Sequence, residues 1–350
     1  MERGTRVIRK LLNTLFVISE ENYLALDGET IEIRNKEKML ARFPLHTLEG
    51  IISFTYAGAS PALMGACAER NIELSFFTPR GKFLARTVGK EYGNVLLRKA
   101  QYRISDSEEL SCKYARNMIV GKVFNCRWSV ERTIRDNEYR VEKDKLKKAS
   151  LELKNGIVEV QKCISLESLR GIEGELATIY FSVLDDLILN QKNEFFFRTR
   201  NRRPPLDYVN ALLSFTYSIL SHECFNALSS VGLDSYVGFL HRDRPGRQSL
   251  ALDLMEEFRG ILADRFVLTL INTRAIRGEH FFTQKDGAVQ LNDAGRKIFF
   301  TAWQTHRKEL ITHPYLKEKL EWGLVPYTQA LLLARTIRGD LEEYPPFLWK

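Results

Sequence analysis

Cysteine is scarce in this chain: five residues in 350, Cys67, Cys112, Cys126, Cys163 and Cys224, with no C-x-x-C pair. An odd, scattered set excludes a disulfide framework and a cysteine-rich zinc site, and it suits a reducing cytoplasm. Long apolar runs are missing too. The longest uncharged stretch, Ile51 to Ala68, is broken by Ser53, Thr55, Ser60 and Pro61 and is too polar for a bilayer, so no membrane partner is expected. Near the start, Arg3, Arg6, Arg9 and Lys10 precede an apolar run from Leu11 to Ile18. Asn13 interrupts that run and no small-residue cleavage site precedes Glu20, so no signal peptide is read there. Internal repeats and low-complexity tracts are absent. Apolar and charged fractions of 44% and 27% exclude a disordered or collagen-like chain.

What the chain does have is length and positive charge. Its 350 residues exceed the reach of one hydrophobic core and predict two domains. Lys and Arg number 52 against 44 Asp and Glu, a net charge of +8 that favours a polyanionic partner. Residues 1–90 predict a β-rich domain. Leu15–Ile18 and Tyr23–Leu26 are strand-like, Asp27-Gly28 is a hairpin turn signal, and Thr30–Arg34 alternates polar with apolar. Ser60 can cap a short helix with Pro61 at its first position, and strands follow at Leu74–Phe77 and Lys82–Arg86. Gly89–Gly93 reads as the boundary. Over 91–350 the period lengthens to about 3.6 residues, which predicts helices to about residue 338. A β-hairpin around Asp286-Gly287 interrupts them, and the tail Tyr344-Pro345-Pro346-Phe347 cannot be helical throughout. The fold class is therefore α+β: an N-terminal β-rich domain, then a mainly α-helical C-terminal domain with a small inserted β-hairpin. The Lys- and Glu-rich stretch Arg140–Lys154 reads as a solvated helical face.

Three patterns can carry chemistry. The first is a helix that Ser165 can cap, with an apolar face of Leu166, Leu169, Ile172, Leu176, Ile179 and Val183. Gly171 and Gly174 inside it cost about 1 kcal/mol each relative to alanine, so something must approach the backbone closely. Close helix packing is the simpler explanation, and a ligand at Glu173 the other. The second is His241, where an apolar segment ends in a loop, followed by a helix with Asp253 three residues before Glu256 and four before Glu257. Residues at those offsets share a face. One imidazole with such carboxylates matches a hard divalent cation, Mn²⁺ or Mg²⁺, better than a structural zinc. The plain alternative is that acidic residues near a helix N-terminus merely complement its dipole. The third is the polar stripe Asn210, Ser214, Tyr217 and Ser221. It either faces water, the simpler reading, or lines an active-site wall through Asn210 and Tyr217. In addition, Gln191–Pro205 interleaves Lys192, Arg198, Arg200, Arg202 and Arg203 with Phe195-Phe196-Phe197, a composition that suits phosphate contacts and base stacking. A surface loop with a buried Phe anchor explains the segment equally well.

The Arg-Gly-Ile-Glu-Gly segment at 170–174, the Arg-Pro-Pro-Leu-Asp-Tyr-Val-Asn-Ala-Leu-Leu-Ser-Phe segment at 203–215, Gly-Phe-Leu-His at 238–241 and Leu-Asp-Leu-Met-Glu-Glu-Phe-Arg at 252–259 are specific in order and spacing. Together they resemble the universal CRISPR-associated spacer-acquisition integrases. Phe77–Arg86, His313-Pro314 and Leu331–Asp340 look like the members accompanying type I-C systems, so the resemblance spans nearly the whole chain. It implies that the β domain pairs two protomers into a homodimer and that the helical domain holds one divalent-metal site. The family's metal ligands fall on Glu173, His241 and Glu256, with Asp253 beside the metal as an orienting neighbour or alternate ligand. Other members have Asp where this chain has Glu256, one methylene longer, and Glu257 is the competing residue. The implied reaction is metal-assisted attack of a 3′-hydroxyl on a phosphodiester, or of water in the nuclease reaction, with no nucleotide cofactor. The implied partners are double-stranded and branched DNA and a small second CRISPR adaptation protein. DNA contacts are expected from a basic surface drawing on Arg198, Arg200, Arg202, Arg203, Arg244 and Arg247. A branched-DNA repair nuclease would use the same residues, whereas a non-catalytic basic scaffold would lack the ligand set.

Overall fold

The computed structural model describes residues 14–17, 21–36, 38–48, 50–70, 72–78, 83–88 and 95–350. The basic N-terminal cluster, Ile18, Pro79–Lys82 and the boundary segment Gly89–Gly93 lie outside the described residues. The chain divides into two compact units, Met1–Glu91 and Tyr92–Lys350.

The first unit contains β1 (Thr14–Val17), β2 (Asn22–Asp27), β3 (Thr30–Asn35), β4 (Lys38–Pro44), β5 (Gly50–Ser53), α1 (Pro61–Glu69), β6 (Glu73–Phe77) and β7 (Phe83–Arg86). One sheet is the antiparallel meander β2-β3-β4, and the other has the order β1-β5-β6-β7. In the second sheet β5 is parallel to β1 and β6, with α1 as the crossover, while β7 is antiparallel to β6. Gly28, at φ +55°, opens the two-residue turn between Asp27 and Thr30. Ser60 Oγ accepts from Leu63 N and caps α1, with Pro61 in the first turn. Apolar residues from both sheets and the helix, Leu24, Ile31, Ile51, Leu63 and Leu74 among them, form the core. Strand β4 was not foreseen from sequence. It is exposed or half-buried along its whole length, so it shows no apolar alternation. Its pairing with β3 and the ion pairs of Arg42 with Asp27 and buried Glu32 hold it in place.

The second unit contains α2 (Val95–Ser105), α3 (Glu108–Asp136), α4 (Lys143–Lys162), α5 (Leu166–Ser182), α6 (Tyr208–Ser230), α7 (Ser249–Phe258), α8 (Arg265–Asn272), β8 (Phe281–Thr283), β9 (Val289–Leu291), α9 (Asp293–Arg307), β10 (Leu310–Thr312), β11 (Lys319–Glu321) and α10 (Val325–Ile337). Helix α3 is the axis, packed against α4, α5 and α7. The Lys- and Glu-rich α4 keeps Leu146, Leu153 and Val160 inward and solvates its other face. A π-helical segment, Arg259–Asp264, joins α7 to α8. It lies so close to α3 that a Cβ on Gly260 would meet the backbone N of Cys126 at 2.9 Å. The hairpin β8–β9 stands where it was expected. A second hairpin, β10–β11, interrupts the helical reading of that region. Its strands have three residues each, too few to show a period, and Lys317 at φ +59° marks the reversal. The non-helical tail buries Tyr344 and Phe347 completely or nearly so. Asn125 of α3 clamps it, donating to Phe347 O at 2.8 Å and accepting from Trp349 N at 3.0 Å. No described helix is long and apolar enough to cross a membrane.

Candidate metal centre

Three pieces of the helical unit meet at α3. Helix α5 carries Glu173, the loop after α6 carries His241, and α7 carries Asp253 and Glu256. Arg170, one turn before Glu173, reaches across to the loop and donates to Leu240 O through Nε (2.9 Å) and Nη2 (2.7 Å). From the other side, Gln101 and Ser105 of α2 donate to Val237 O and Gly238 O, each at 2.8 Å. Gly238 is required where it stands, because a Cβ there would lie 2.8 Å from both Asp253 Oδ2 and Ser249 Cβ.

Asp253 is fully buried and acts as a staple for the loop. Its Oδ2 accepts from the backbone N of Phe239 (2.6 Å) and Leu240 (2.9 Å), and its Oδ1 from His241 N (3.1 Å). The same Oδ1 lies 2.5 Å from His241 Nδ1. Both oxygens are thus engaged, and the imidazole is oriented through one nitrogen with Nε2 left over, the arrangement that carboxylates impose on metal-binding histidines.

Glu256 and Glu257 point in different directions. Glu256 is buried beside α3 and α5, where Lys122 donates to Glu173 Oε1 and its Nζ lies 2.8 Å from Glu256 Oε2. Arg259 Nη1 is 3.0 Å from the other Glu256 oxygen. Burial alone would raise the Glu256 carboxyl, but Arg259, Lys122 and the nearby His241 hold it below its ordinary range. Burial would likewise lower Lys122, yet Glu256 and Glu173 keep its ammonium above its ordinary value. Glu257 enters the core and meets the tail. It accepts from Tyr344 Oη (2.5 Å), Phe347 N (2.7 Å) and Gln329 Nε2 (3.1 Å), and burial, only partly offset by these bonds, pushes its carboxyl up to about 8.

Among the described residues, no three His, Cys, Asp or Glu side chains close on a single point as they stand. Between the two carboxylates sits the Lys122 ammonium. The donor set still fits a hard divalent cation: two anionic carboxylates share one cation position, and an oriented imidazole comes from the loop tied to α5. Glu256 Oε2 is buried and faces the Lys122 ammonium at 2.8 Å, so this oxygen already holds a positive charge in place of solvent.

The polar stripe on α6 splits. Asn210 is fully buried and pins the preceding segment, accepting from Arg200 Nη1 (2.8 Å) and Asn201 N (3.1 Å) and donating to Thr199 O (2.9 Å). Tyr217 does line a cleft, with Lys122, Glu173, Tyr180, Arg259 and Asp264. The guanidiniums of Arg200 and Arg259 lie over its ring, at 5.4 and 5.2 Å from the centroid, and its hydroxyl donates to Asp264 Oδ1 at 2.5 Å. The simpler expectation of a water-facing stripe is therefore corrected at both positions, because Arg200 folds inward onto them. Arg198, Arg202, Arg203 and Arg244 are exposed and Arg247 partly so, while Phe195 and Phe197 are buried anchors.

The helix-packing explanation of Gly171 and Gly174 also fails. Both are exposed, and a Cβ at either position would meet no atom within 4 Å. Open ground beside Glu173 is what the two glycines provide. The residues that sequence reasoning missed are Lys122, Arg170, Arg259 and Asp264. Lys122 alone had a signal, a charge inside the apolar helical run Met118-Ile119-Val120-Gly121-Lys122-Val123.

Comparison with known proteins gives one family. The family model described as "CRISPR associated protein Cas1" matches residues 15–305. A protein of Chlorobaculum tepidum named CRISPR-associated endonuclease Cas1 1 is 45% identical over 343 residues, covering 98% of this chain and all of the relative. Among solved structures, a casposase bound to integration product superposes with a TM-score of 0.83 at 23% identity, over 97% of this chain and 95% of that one. A chain of a Cas6-RT-Cas1–Cas2 complex superposes with a TM-score of 0.79 at 20% identity, over all of this chain and 37% of the larger one.

Proposed function

This chain belongs to the CRISPR-associated Cas1 family, and we propose that its Glu173, His241 and Glu256 form the metal centre of a DNA endonuclease and integrase of CRISPR spacer acquisition. The observation that carries this reading is the shared cation position between Glu173 and Glu256, one helical turn from the Arg170 grip that ties down the His241 loop.

Mg²⁺ or Mn²⁺ held there supplies a more nucleophilic 3′-hydroxyl and a counter-charge for the phosphodiester under attack. The protein's own contributions are placement and exclusion. Asp253 sets the imidazole, Arg170 fixes the loop against α5, and the exposed, Cβ-free strip at Gly171 and Gly174 lets a DNA backbone come up to Glu173. In strand transfer the incoming 3′-oxygen bonds to phosphorus as the old 3′-oxygen leaves. One phosphodiester replaces another, and no nucleotide cofactor is consumed. With water as the nucleophile, the same geometry gives hydrolysis. Purified protein, with the small second adaptation protein, short duplex DNA and a repeat-containing target, should join 3′-ends to the target in Mg²⁺ or Mn²⁺. Joining should stop in EDTA and resume when metal is restored. Joining that persists in EDTA would refute the metal centre.

Duplex and branched DNA would bind the exposed Arg198, Arg202, Arg203 and Arg244, with Arg247 at their margin and Arg200 bracing Tyr217 behind them. Such contacts are to phosphate, so affinity should fall with salt at a log–log slope of about −0.9 per phosphate neutralised. Charge-neutral replacement of Arg202, Arg203 and Arg244 together should flatten the slope by about 3 × 0.9 for every duplex sequence alike. An unchanged slope would place the DNA path elsewhere.

The first unit would pair two protomers. Its outer strand β4 leaves Met39, Leu40 and Phe43 a third to a half exposed, an apolar sheet edge that a second copy can cover. A dimer would carry two metal centres, which suits the joining of both ends of one duplex fragment. Sedimentation should give a dimer for the full chain and a monomer for a form beginning near Gly93. A dimeric truncated form would exclude pairing through this unit.

A further inference from the structure

We propose that Lys122 is a resident counter-ion of the metal centre: it bridges Glu173 and Glu256 in the metal-free protein and swings to Asp264 when a divalent ion takes that place. This inference rests on the ligand assignment above.

The first half follows from geometry. Lys122 sits in the interior of α3 and is 8% exposed. A lysine is rarely buried so deeply unless it is paired. Its Nζ donates to Glu173 Oε1 and stands 2.8 Å from Glu256 Oε2. Two carboxylates from different helices, α5 and α7, are thereby held facing each other before any metal arrives; without the ammonium they would repel. The pairing is also balanced, since Arg259 matches the second charge from the far oxygen of Glu256.

The second half follows from what an incoming ion requires. An ammonium has no lone pair, so it cannot ligate a metal. Mg²⁺ sits about 2.0–2.1 Å from its oxygen ligands, so an ion reaching both carboxylates would occupy the ammonium's own position and repel it. The flexible four-carbon stem of lysine allows it to leave.

A destination is present in the same cleft. Asp264 is 1% exposed and lines the cleft together with Lys122 and Glu173. Its Oδ1 accepts from Tyr217, while Oδ2 is buried with no hydrogen-bond partner, the nearby Tyr180 hydroxyl being unaligned with it. Burial raises the Asp264 carboxyl to about 6 despite the bond from Tyr217, the nearby Tyr180 hydroxyl and the charges of Arg259 and Arg200. An arriving ammonium would satisfy the idle oxygen. The π-helical segment, one residue wider per turn than an α-helix, is what sets both Arg259 and Asp264 around this cleft.

The test is Mn²⁺ binding by the full-length protein, read by calorimetry and by electron paramagnetic resonance of the free ion, together with melting temperatures with and without metal. Lys122→Met should bind Mn²⁺ at least tenfold more tightly than the parent. Its metal-free form should melt lower, and added Mn²⁺ should raise its melting temperature by more. If methionine prevents folding, Lys122→Gln should show the same direction. Asp264→Asn should weaken Mn²⁺ binding, and that penalty should vanish in the Lys122→Met background, where no lysine needs a destination. Unchanged or weaker binding in the Lys122 variants would overturn the displacement and leave Lys122 a fixed tether. An Asp264→Asn penalty that survives without Lys122 would overturn the second position. Glu173→Gln reports on the premise separately: it should weaken Mn²⁺ binding, and if it does not, the ligand assignment itself has failed.

Discussion

Replacing His241 or Glu173 by alanine should abolish metal-dependent strand transfer, a loss of about a thousandfold or more, while the protein still folds. The magnitude follows from the proposed ligand role, whose loss would forfeit several kcal/mol of stabilisation at the reacting phosphate, and about 1.4 kcal/mol corresponds to each tenfold in rate. The preserved fold follows from what each substitution leaves behind. Without the imidazole, Asp253 still accepts three backbone N–H groups from Phe239, Leu240 and His241. Without Glu173, Lys122 still faces Glu256, and the partly exposed α5 surface loses only a side chain at its rim. The assay is strand transfer at limiting Mn²⁺, run beside circular dichroism and thermal melting of the same preparations. Full activity in either well-folded variant would remove that residue from the metal centre.

The parts of the molecule legible in the sequence are those whose signals are local. The cap of α1 by Ser60 and Pro61, the strands β2 and β3 around Gly28, and the hairpin β8–β9 around Asp286-Gly287 each combine turn chemistry with a clear period. Strand β4 escaped because an edge strand open on both faces has no buried side to create alternation, and β10–β11 escaped because three-residue strands carry no period. The proposed ligands Glu173, His241 and Glu256 come from motif resemblance, whereas the residues that surround them in the fold do not. Arg170 reads as one more charge on a helix until its guanidinium is seen on Leu240 O. Asp264 lies 91 residues beyond Glu173 in sequence yet lines the same cleft. Lys122 was the one recoverable case, since a lysine inside an apolar helical run must find an anion or leave the core. Gly171 and Gly174 show the opposite lesson: their cost was legible, but the helix-packing explanation for it was not what the fold uses.

Glu256 and Glu257 are adjacent in sequence, and replacing each by glutamine should remove a different property. Glu256→Gln takes an anion from between Lys122 and Arg259 and should cost strand transfer a hundredfold or more, because the amide is a poor ligand and buried Lys122 and half-buried Arg259 lose their shared partner. Glu257→Gln should leave transfer within a few-fold of the parent and change how stability responds to pH. In the folded protein the Glu257 carboxyl is raised from 4.5 to about 8 by burial, so it is protonated in the native state where it would be ionised in the unfolded chain. Between those two values the native state binds more protons than the unfolded one, and stability therefore falls as pH rises through the window, then levels off above about 8. The loss across the window should be on the order of a few kcal/mol. Glutamine keeps an oxygen for Phe347 N and an amide that can donate to Tyr344 Oη, but it cannot ionise. The stability difference between parent and Glu257→Gln, measured by denaturant unfolding from pH 5 to pH 9, should accordingly shift in favour of the variant as pH increases. A difference that does not change with pH would show that the tail leaves Glu257 open to solvent. Loss of transfer in Glu257→Gln with full transfer in Glu256→Gln would show that the ligand lies one residue further along α7.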